Sequence, residues 1–150
     1  MKYLTEEDSE LFLIHQYFKY KKMKLIGFIK EYNNVKNAVS LENALFVQND
    51  SFQKNKEKVI EYLKQGELLL AWMGYFFDYH TREPIAPDSY FTDGVWVWPS
   101  YFPYYLEKYP NMYVDDSFLD YLISKDFNFK LNKEFIKNKN IYENQFAALL

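Results

Sequence analysis

The first part of the chain places its apolar residues at helical spacing. Leu11, Ile14 and Phe18 recur three or four residues apart, so they share one face of a helix. Thr5 stands before them in a position to cap that helix. The same spacing predicts a second helix over Lys24–Tyr32. The pattern therefore indicates a chain that begins with helices.

Two more helices are predicted before the pattern changes. Ser40 can cap a short helix that runs through Phe46, and Asp50 or Ser51 begins a longer one. Gly66 is placed as the C′ residue of the longer helix, where glycine is common. The residues expected to face the core from this helix are Phe52, Val59, Ile60 and Leu63.

Beyond Gly66 the pattern is that of strands. Residues 68–79 are apolar at both alternating sets of positions, which is typical of a strand covered on both faces. Arg82–Ser89 contains two prolines and is predicted to be a loop. Tyr90–Trp98 returns as a second strand, so the two strands are expected to form an antiparallel hairpin.

Helices are predicted again after the hairpin. Ser100–Tyr109 is predicted to be helical, with a proline in its first turn, where proline is tolerated. Asp115 or Asp116 caps a further helix whose apolar residues recur at helical spacing. Lys130–Leu150 fits neither helix nor strand clearly. Together the elements predict a single α+β domain over residues 1–150, with a small antiparallel sheet between N-terminal and C-terminal helices.

The second predicted strand contains the most informative local motif of the chain. Asp93 and Gly94 have turn chemistry, since glycine accepts a positive φ and aspartate can hydrogen-bond its own backbone. Trp96 and Trp98 lie two residues apart and so share one face of a strand. Pro99 lacks an N–H and ends the strand. We interpret these five residues as structural.

Composition narrows the class of protein. The chain has 150 residues, 49% hydrophobic and 26% charged, which is typical of a globular protein. It contains no cysteine, so neither disulfides nor thiolate metal sites are expected. The first ten residues are acidic, unlike a signal peptide, and no run approaches the ~20 apolar residues of a membrane span. We therefore expect a cytoplasmic protein with no membrane partner.

Charge is distributed unevenly. Between Glu67 and Asp126, ten acidic residues stand against Arg82, Lys108 and Lys125. An acidic surface suits a basic partner and speeds its approach, although it can also be an ordinary solvated surface. The acids chosen as candidate partner contacts are Glu83, Asp88, Asp115, Asp116 and Asp120.

Catalytic and cofactor motifs are weak. Asp78 and His80 share a strand face and could bind a metal, but a capping or surface role is favoured. The aspartates near residue 116 are explained by the dipole of a helix N-terminus. No nucleophile motif and no phosphate-binding loop is present. The sequence therefore predicts a protein that is not an enzyme and holds no metal or cofactor.

Two aromatic patterns leave other binding functions open. A lysine-rich run with interleaved aromatics at residues 17–24 could bind nucleic acid. Its lack of arginine and the sequence pI of about 5.4 favour a solvated helix end instead. Trp72, Trp96 and Trp98 could stack on sugar rings or lie in the core. A carbohydrate- or small-ligand-binding module using this Trp/Tyr cluster is therefore the alternative function.

Residues 59–126 resemble a family of small bacterial proteins that pair a YL..G..L segment with a later TDG.W.WP....YY...Y segment. The matching residues are Tyr62, Leu63, Gly66, Leu69, Asp78, Thr92, Asp93, Gly94, Trp96, Trp98, Pro99, Tyr104, Tyr105, Tyr109 and Phe118. The leucine-proline that usually precedes the last helix is Val114-Asp115 here. Similar proteins occur among presumed immunity proteins of contact-dependent and other polymorphic toxin systems. The resemblance implies a protein that binds and neutralises a cognate toxin domain. The acidic residues between Glu67 and Asp126 suit a basic toxin of the nuclease type. We expect a monomer or weak homo-oligomer.

Overall fold

The computed structural model describes residues 22–46 and 50–150. In these ranges the chain forms four strands and six helices. The strands are β1 (Lys24–Leu25), β2 (Glu67–Phe77), β3 (Pro84–Thr92) and β4 (Trp96–Pro99). The helices are α1 (Leu41–Phe46), α2 (Asp50–Lys64), α3 (Tyr101–Lys108), α4 (Asp116–Ser124), α5 (Lys133–Lys137) and α6 (Lys139–Ala147). The predicted helix that Thr5 would cap lies outside the described residues.

The four strands form one sheet in the order β1-β4-β3-β2. β2 pairs with β3 and β3 pairs with β4 in antiparallel fashion, whereas β1 runs parallel to β4. The predicted α+β class and the predicted β2–β3 hairpin are confirmed. The sheet is mixed rather than purely antiparallel, because β1 joins the edge opposite β2 and runs parallel to its neighbour β4. β1 and β2 are thus the two edge strands among the described residues.

The helix predicted over Lys24–Tyr32 is wrong. This segment instead contains β1, followed by turns and an isolated parallel bridge between Ile29 and Val39. Gly27 has a φ of 77°, and a Cβ there would lie 2.2 Å from Cγ of Phe102. A helix needs negative φ throughout, so the chain is not helical at Gly27, and the Phe102 ring occupies the space that a side chain there would need.

The loop predicted over Arg82–Ser89 is also wrong from Pro84 onward, where β3 begins. β3 pairs with β4 only over Tyr90–Thr92, so the earlier part of β3 has a strand neighbour on one side only. Proline is acceptable there because its missing N–H can face away from the ladder. The predicted strand Tyr90–Trp98 is divided by the turn at Asp93 into the end of β3 and β4.

Helices that begin with a capping residue match their predictions. The Asn43 N–H donates to Oγ of Ser40 at the start of α1, and the Ser117 N–H donates to Oδ1 of Asp115 at the start of α4. The predicted helices that became α2 and α3 are likewise confirmed. The ambiguous C-terminal segment forms α5 and α6, which bury Phe135 and Phe146.

Gly66 follows α2 as predicted, but its φ is not positive. Its role is close packing, because a Cβ there would lie 2.6 Å from Cζ2 of Trp98 and 2.9 Å from Cβ of Phe91. Glycine therefore lets the end of α2 approach the sheet, as a larger residue would overlap both aromatic side chains.

Aromatic rings fill the core on both sides of the sheet. On one side the Trp98 ring contacts Tyr62 of α2, and the Trp96 ring contacts Phe118 of α4. On the other side Tyr90 of β3 lies against rings that include Phe28, Phe76 and Phe146. β4 is buried at all four positions. The edge strand β2 differs, because most of its side chains are exposed.

Candidate functional site

Six large side chains of β2 and the turn after it are exposed. They are Leu68, Trp72, Met73, Tyr75, Phe77 and Tyr79, and they are called the β2 surface below. Met73 is 99% exposed and Trp72 is 52% exposed. The prediction of a strand covered on both faces is therefore wrong in the part of the chain that the structure describes. Leu69 and Phe76 are the large side chains that β2 buries there.

A bulge in the middle of β2 projects part of this surface. Ala71 pairs with Ser89, and Tyr75 pairs with Pro87. Residues 72–74 of β2 therefore lie opposite a single residue of β3. A bulge of this kind interrupts the ladder and changes the direction of the side chains that it carries.

Gly74 provides the backbone conformation that the bulge needs. Its φ is 105°, and a Cβ at this position would meet nothing within 4 Å. Glycine is thus required here by its backbone angle and not by crowding. The bulge leaves Trp72 and Met73 facing solvent. In the sequence, the glycine inside an otherwise apolar strand pattern is the signal that could have predicted this bulge.

The six side chains of the β2 surface together expose a large apolar area. Summed from the exposed fractions, this area is on the order of 600–800 Å² spread along the strand and the turn after it. Exposed apolar area that collects into patches of a few hundred Å² commonly marks interaction sites. Four of the six residues are aromatic, and methionine adapts its shape readily to a partner. The composition is that of a protein-binding surface.

Tyrosine hydroxyls fix the backbone at the end of β2. The Tyr32 hydroxyl donates to the Phe77 carbonyl at 2.6 Å and lies 2.6 Å from the Tyr105 hydroxyl. The Tyr105 hydroxyl also accepts from the Tyr79 N–H at 3.1 Å. The exposed rings of Phe77 and Tyr79 are therefore carried by a backbone that is hydrogen-bonded to the half-buried Tyr32 and the buried Tyr105. A rigid surface loses less conformational entropy on binding.

Burial is the largest cause of a raised pKa at eight tyrosines in the described part of the chain. They are Tyr32, Tyr62, Tyr90, Tyr101, Tyr104, Tyr105, Tyr113 and Tyr121. Their hydroxyls stay protonated at neutral pH, which suits them to donate hydrogen bonds.

Asp78 holds the tip of the β2–β3 hairpin. Its buried carboxylate accepts four hydrogen bonds. Oδ1 accepts from the N–H groups of His80 and Thr81 at 2.8 and 2.9 Å, and Oδ2 accepts from the Tyr104 hydroxyl and Lys108 Nζ, both at 2.7 Å. Burial alone would raise the pKa of Asp78, but the hydrogen bonds, led by that from Lys108, hold it well below its usual range. The hairpin tip is therefore anchored to α3.

These contacts bear on the metal site considered for Asp78 and His80. Asp78 interacts with the backbone of His80, whose exposed ring lies edge-on to Tyr79 with centroids 5.6 Å apart. Over residues 22–46 and 50–150, no group of three or more His, Asp or Glu side chains is arranged to hold a metal ion. The structure thus gives Asp78 a structural role at the hairpin tip.

Asp93 is a second buried carboxylate with four donors. Oδ1 accepts from the N–H groups of Val95 and Trp96 at 2.9 and 2.8 Å, which closes the turn between β3 and β4. Oδ2 accepts from the hydroxyls of Tyr62 and Tyr121 at 2.5 and 2.9 Å. Asp93 therefore joins the turn to α2 and α4, a role beyond the turn that the sequence indicated.

Lys125 completes this cluster. Its Nζ lies 3.1 Å from the Tyr62 hydroxyl and 3.3 Å from the Tyr121 hydroxyl, above both rings. Burial first, and then Asp93, raises the pKa of both tyrosines. The phenols therefore remain donors to the carboxylate, and the cluster links the turn to α2 and α4.

The remaining motif residues lie in the core or at its edge. Gly94 has a φ of 95° in the turn, and Pro99 pairs with Tyr90 at the end of β4. Trp96 is 5% exposed and Trp98 is fully buried. Neither ring can stack on a sugar without unfolding the core, so Trp72 is the tryptophan with an accessible ring.

The five acids predicted as partner contacts do not form one site. Glu83 is exposed beside the hairpin tip, and Asp88 is half-buried on β3, with an Oδ1 that has no hydrogen-bond partner among the described residues. Asp115 caps α4 and lines a cavity beside β1, and Asp116 and Asp120 are exposed on α4. Glu83 and Asp88 belong to the β2–β3 hairpin, whereas the other three belong to α4 and its cap, and α4 packs on β4 through Phe118 and Trp96.

Comparison with known proteins gives no match: no protein-family model, no curated protein and no solved structure corresponds to this chain. Within residues 22–46 and 50–150, no helix has both the length and the apolar character needed to cross a membrane.

Proposed function

We propose that this protein is a non-enzymatic binding protein that neutralises a partner protein through the β2 surface. The observation that carries the proposal is the exposure of six large side chains on a bulged edge strand and the turn after it, where the Phe77 and Tyr79 backbone is hydrogen-bonded to tyrosine hydroxyls. A large apolar surface that stays in water is costly to a monomer and favours burial against a partner.

The partner that we propose is a cognate toxin domain, and the proposed location is the cytoplasm. The resemblance of the TDGVWVWP segment, residues 92–99, to presumed immunity proteins supports this choice of partner. A chain without cysteine fits a reducing compartment. The toxin would present an apolar pocket that receives the rings of the β2 surface.

Trp72 and Met73 are the proposed anchors of the contact. They occupy the bulge, and they combine the large area of an indole ring with the adaptable shape of a thioether. Residues of this kind, placed centrally in an interface, commonly supply most of its binding energy. Tyr75, Phe77 and Tyr79 would extend the contact toward the hairpin tip.

The test is the binding of the purified protein to its candidate toxin, taken as the product of the gene next to its own. Binding is measured by surface-based kinetics. Trp72→Ala/Met73→Ala should weaken binding by about tenfold or more, mainly through faster dissociation. Ile136→Ala on α5 is the matched control, because Ile136 is 61% exposed but lies outside the β2 surface. Wild-type affinity in the double variant, or an equal loss in the control, would contradict the proposal.

The acidic residues require a separate test because the structure divides them. Exposed charges act mainly on association rate and are screened by salt. Glu83 lies beside the β2 surface, so Glu83→Lys should slow association with a basic toxin at low salt. Asp120→Lys, on α4 and outside the β2–β3 hairpin, should have little effect. Asp115 is unsuitable for charge reversal because its side chain caps α4.

The carbohydrate-binding alternative has less support from the geometry. Trp72 and Tyr75 have exposed rings that could stack on a sugar. From Leu68 to Phe77, however, the sequence has no charged, amide or aliphatic hydroxyl side chain to bind sugar hydroxyls. A purely apolar strand face suits an apolar protein surface better.

A further inference from the structure

A cavity of about 560 Å³ lies beside β1, at the opposite edge of the sheet from the β2 surface. All eight residues from Lys22 to Ile29 line it, so it follows the chain through β1 and beyond. Other parts of its wall include Val39, Ala44 and Tyr113. The cavity therefore has the form of a groove along an edge strand.

The backbone of β1 has hydrogen-bonding capacity on this side. The N–H groups of Lys24 and Ile26 donate to the carbonyls of Val95 and Val97 at 2.9 and 3.0 Å. In a parallel ladder alternate residues face alternate neighbours, so Leu25 directs its N–H and carbonyl away from β4. Leu25 also lines the cavity. An edge of this kind can receive another strand.

A second pairing lies a short distance further along the chain. Ile29 and Val39 form a parallel bridge, in which the Lys30 N–H donates to the Val39 carbonyl and the Val39 N–H donates to the Phe28 carbonyl, both at 3.0 Å. Gly27, with a φ of 77°, bends the chain between β1 and this bridge. The bridge therefore leaves the outward N–H and carbonyl of Leu25 unused.

The charge of the groove is opposite to that of the protein. Lys22, Lys24 and Lys36 line the cavity, and the acid among its described lining residues, Asp115, is engaged as the cap of α4. The protein as a whole has a net charge of −3. Lys24 Nζ also lies 5.4 Å from the centre of the Trp96 ring, which forms part of the wall. The groove therefore favours a negatively charged occupant.

We propose that the groove beside β1 binds an acidic peptide segment in extended conformation. The segment would pair with the backbone of Leu25, and its carboxylates would lie near the three lysines. This site is separate from the proposed toxin contact, because it lies on the other edge strand and is lined by lysines, whereas the β2 surface is apolar.

Fluorescence anisotropy of a labelled hexapeptide of alternating glutamate and valine, added to the full chain, tests the proposal. We expect saturable binding that weakens as salt is raised. A peptide with lysine in place of glutamate should not bind. A peptide methylated at the backbone nitrogens of alternate residues should bind about tenfold more weakly or worse, because it loses donors to the edge.

Variants of the protein locate the site. Lys22→Glu/Lys36→Glu should weaken binding of the acidic peptide by about tenfold or more, and Lys133→Glu on α5 is the matched control that should not. Leu25→Pro removes the outward N–H while leaving the bonds from Lys24 and Ile26 in place, so it should also weaken binding. Near-ultraviolet circular dichroism establishes that each variant is folded.

Four results would overturn the proposal. They are no binding of the acidic peptide, equal binding of the methylated peptide, displacement by free N-acetylglutamate at an equal concentration of carboxylate, and loss of binding in Trp72→Ala. The third result would identify a simple anion site, and the fourth would place the peptide on the β2 surface. If Leu25→Pro fails to fold, the methylated peptide still tests the backbone pairing.

Discussion

Replacing Asp93 with asparagine separates the two functions of this carboxylate. The asparagine carbonyl can still accept from the N–H groups of Val95 and Trp96, so the turn keeps its hydrogen bonds. The amide nitrogen that replaces Oδ2 is a donor, and it would oppose the hydroxyls of Tyr62 and Tyr121. The variant therefore tests how far the links to α2 and α4 stabilise the fold.

The expected cost follows from the burial of the two hydroxyls. A hydrogen bond to a charged group contributes about 1.5–3 kcal/mol when it is buried. Tyr62 is 1% exposed, whereas Tyr121 is half-buried and can turn its hydroxyl toward water. Asp93→Asn should therefore lower the free energy of unfolding by about 2–4 kcal/mol. Urea denaturation at neutral pH, followed by tryptophan fluorescence, measures it.

The background Tyr62→Phe/Tyr121→Phe supplies the control. Without the two hydroxyls, Asp93→Asn should cost about 1 kcal/mol or less, because the turn bonds are kept. An equal cost in both backgrounds would refute the reasoning and assign the effect of Asp93 to the turn alone. A cost near zero in the wild-type background would show that the tyrosine bonds do not stabilise the fold.

Asp78→Asn should destabilise the protein at neutral pH. Because folding lowers the pKa of Asp78, the stability that its carboxylate contributes is present above about pH 4 and is lost as pH falls further. Denaturation of wild type and variant across that pH range measures this difference. The eight tyrosines with raised pKa should make stability fall as pH rises past about 10, and phenolate absorbance should appear together with unfolding. Gly74→Ala should cost about 1–2 kcal/mol through its positive φ alone. Gly94→Ala should cost a similar amount, because its φ of 95° is also positive and a Cβ there would make only ordinary contact with Phe135 at 3.4 Å; equal melting temperatures for wild type and both variants would contradict this.

Local chemistry was enough to predict several elements. Ser40 and Asp115 cap the helices that follow them because a side-chain oxygen and a nearby N–H lie within three residues of each other. Interactions between distant residues were not visible in the same way. β1 has two residues and pairs with β4 about seventy residues later, and no local pattern indicates such a pairing.

The candidate sites show the same limit. An apolar run such as residues 68–79 has the same pattern whether a strand is buried or exposed, so the β2 surface was missed. Asp93 was predicted as a turn residue, yet its partners Tyr62 and Tyr121 lie 31 and 28 residues away. Tertiary packing decides both features, and the sequence shows only which residues are able to take part.

The bulge at Gly74 also has a consequence for the handling of the protein at high concentration. A long apolar edge strand is a template on which further chains can assemble into aggregates. The shift in register between Ala71 and Tyr75 breaks that template into two short pieces. Changes that straighten β2 would therefore be expected to promote fibrous assembly, even where the stability of the folded chain is little affected.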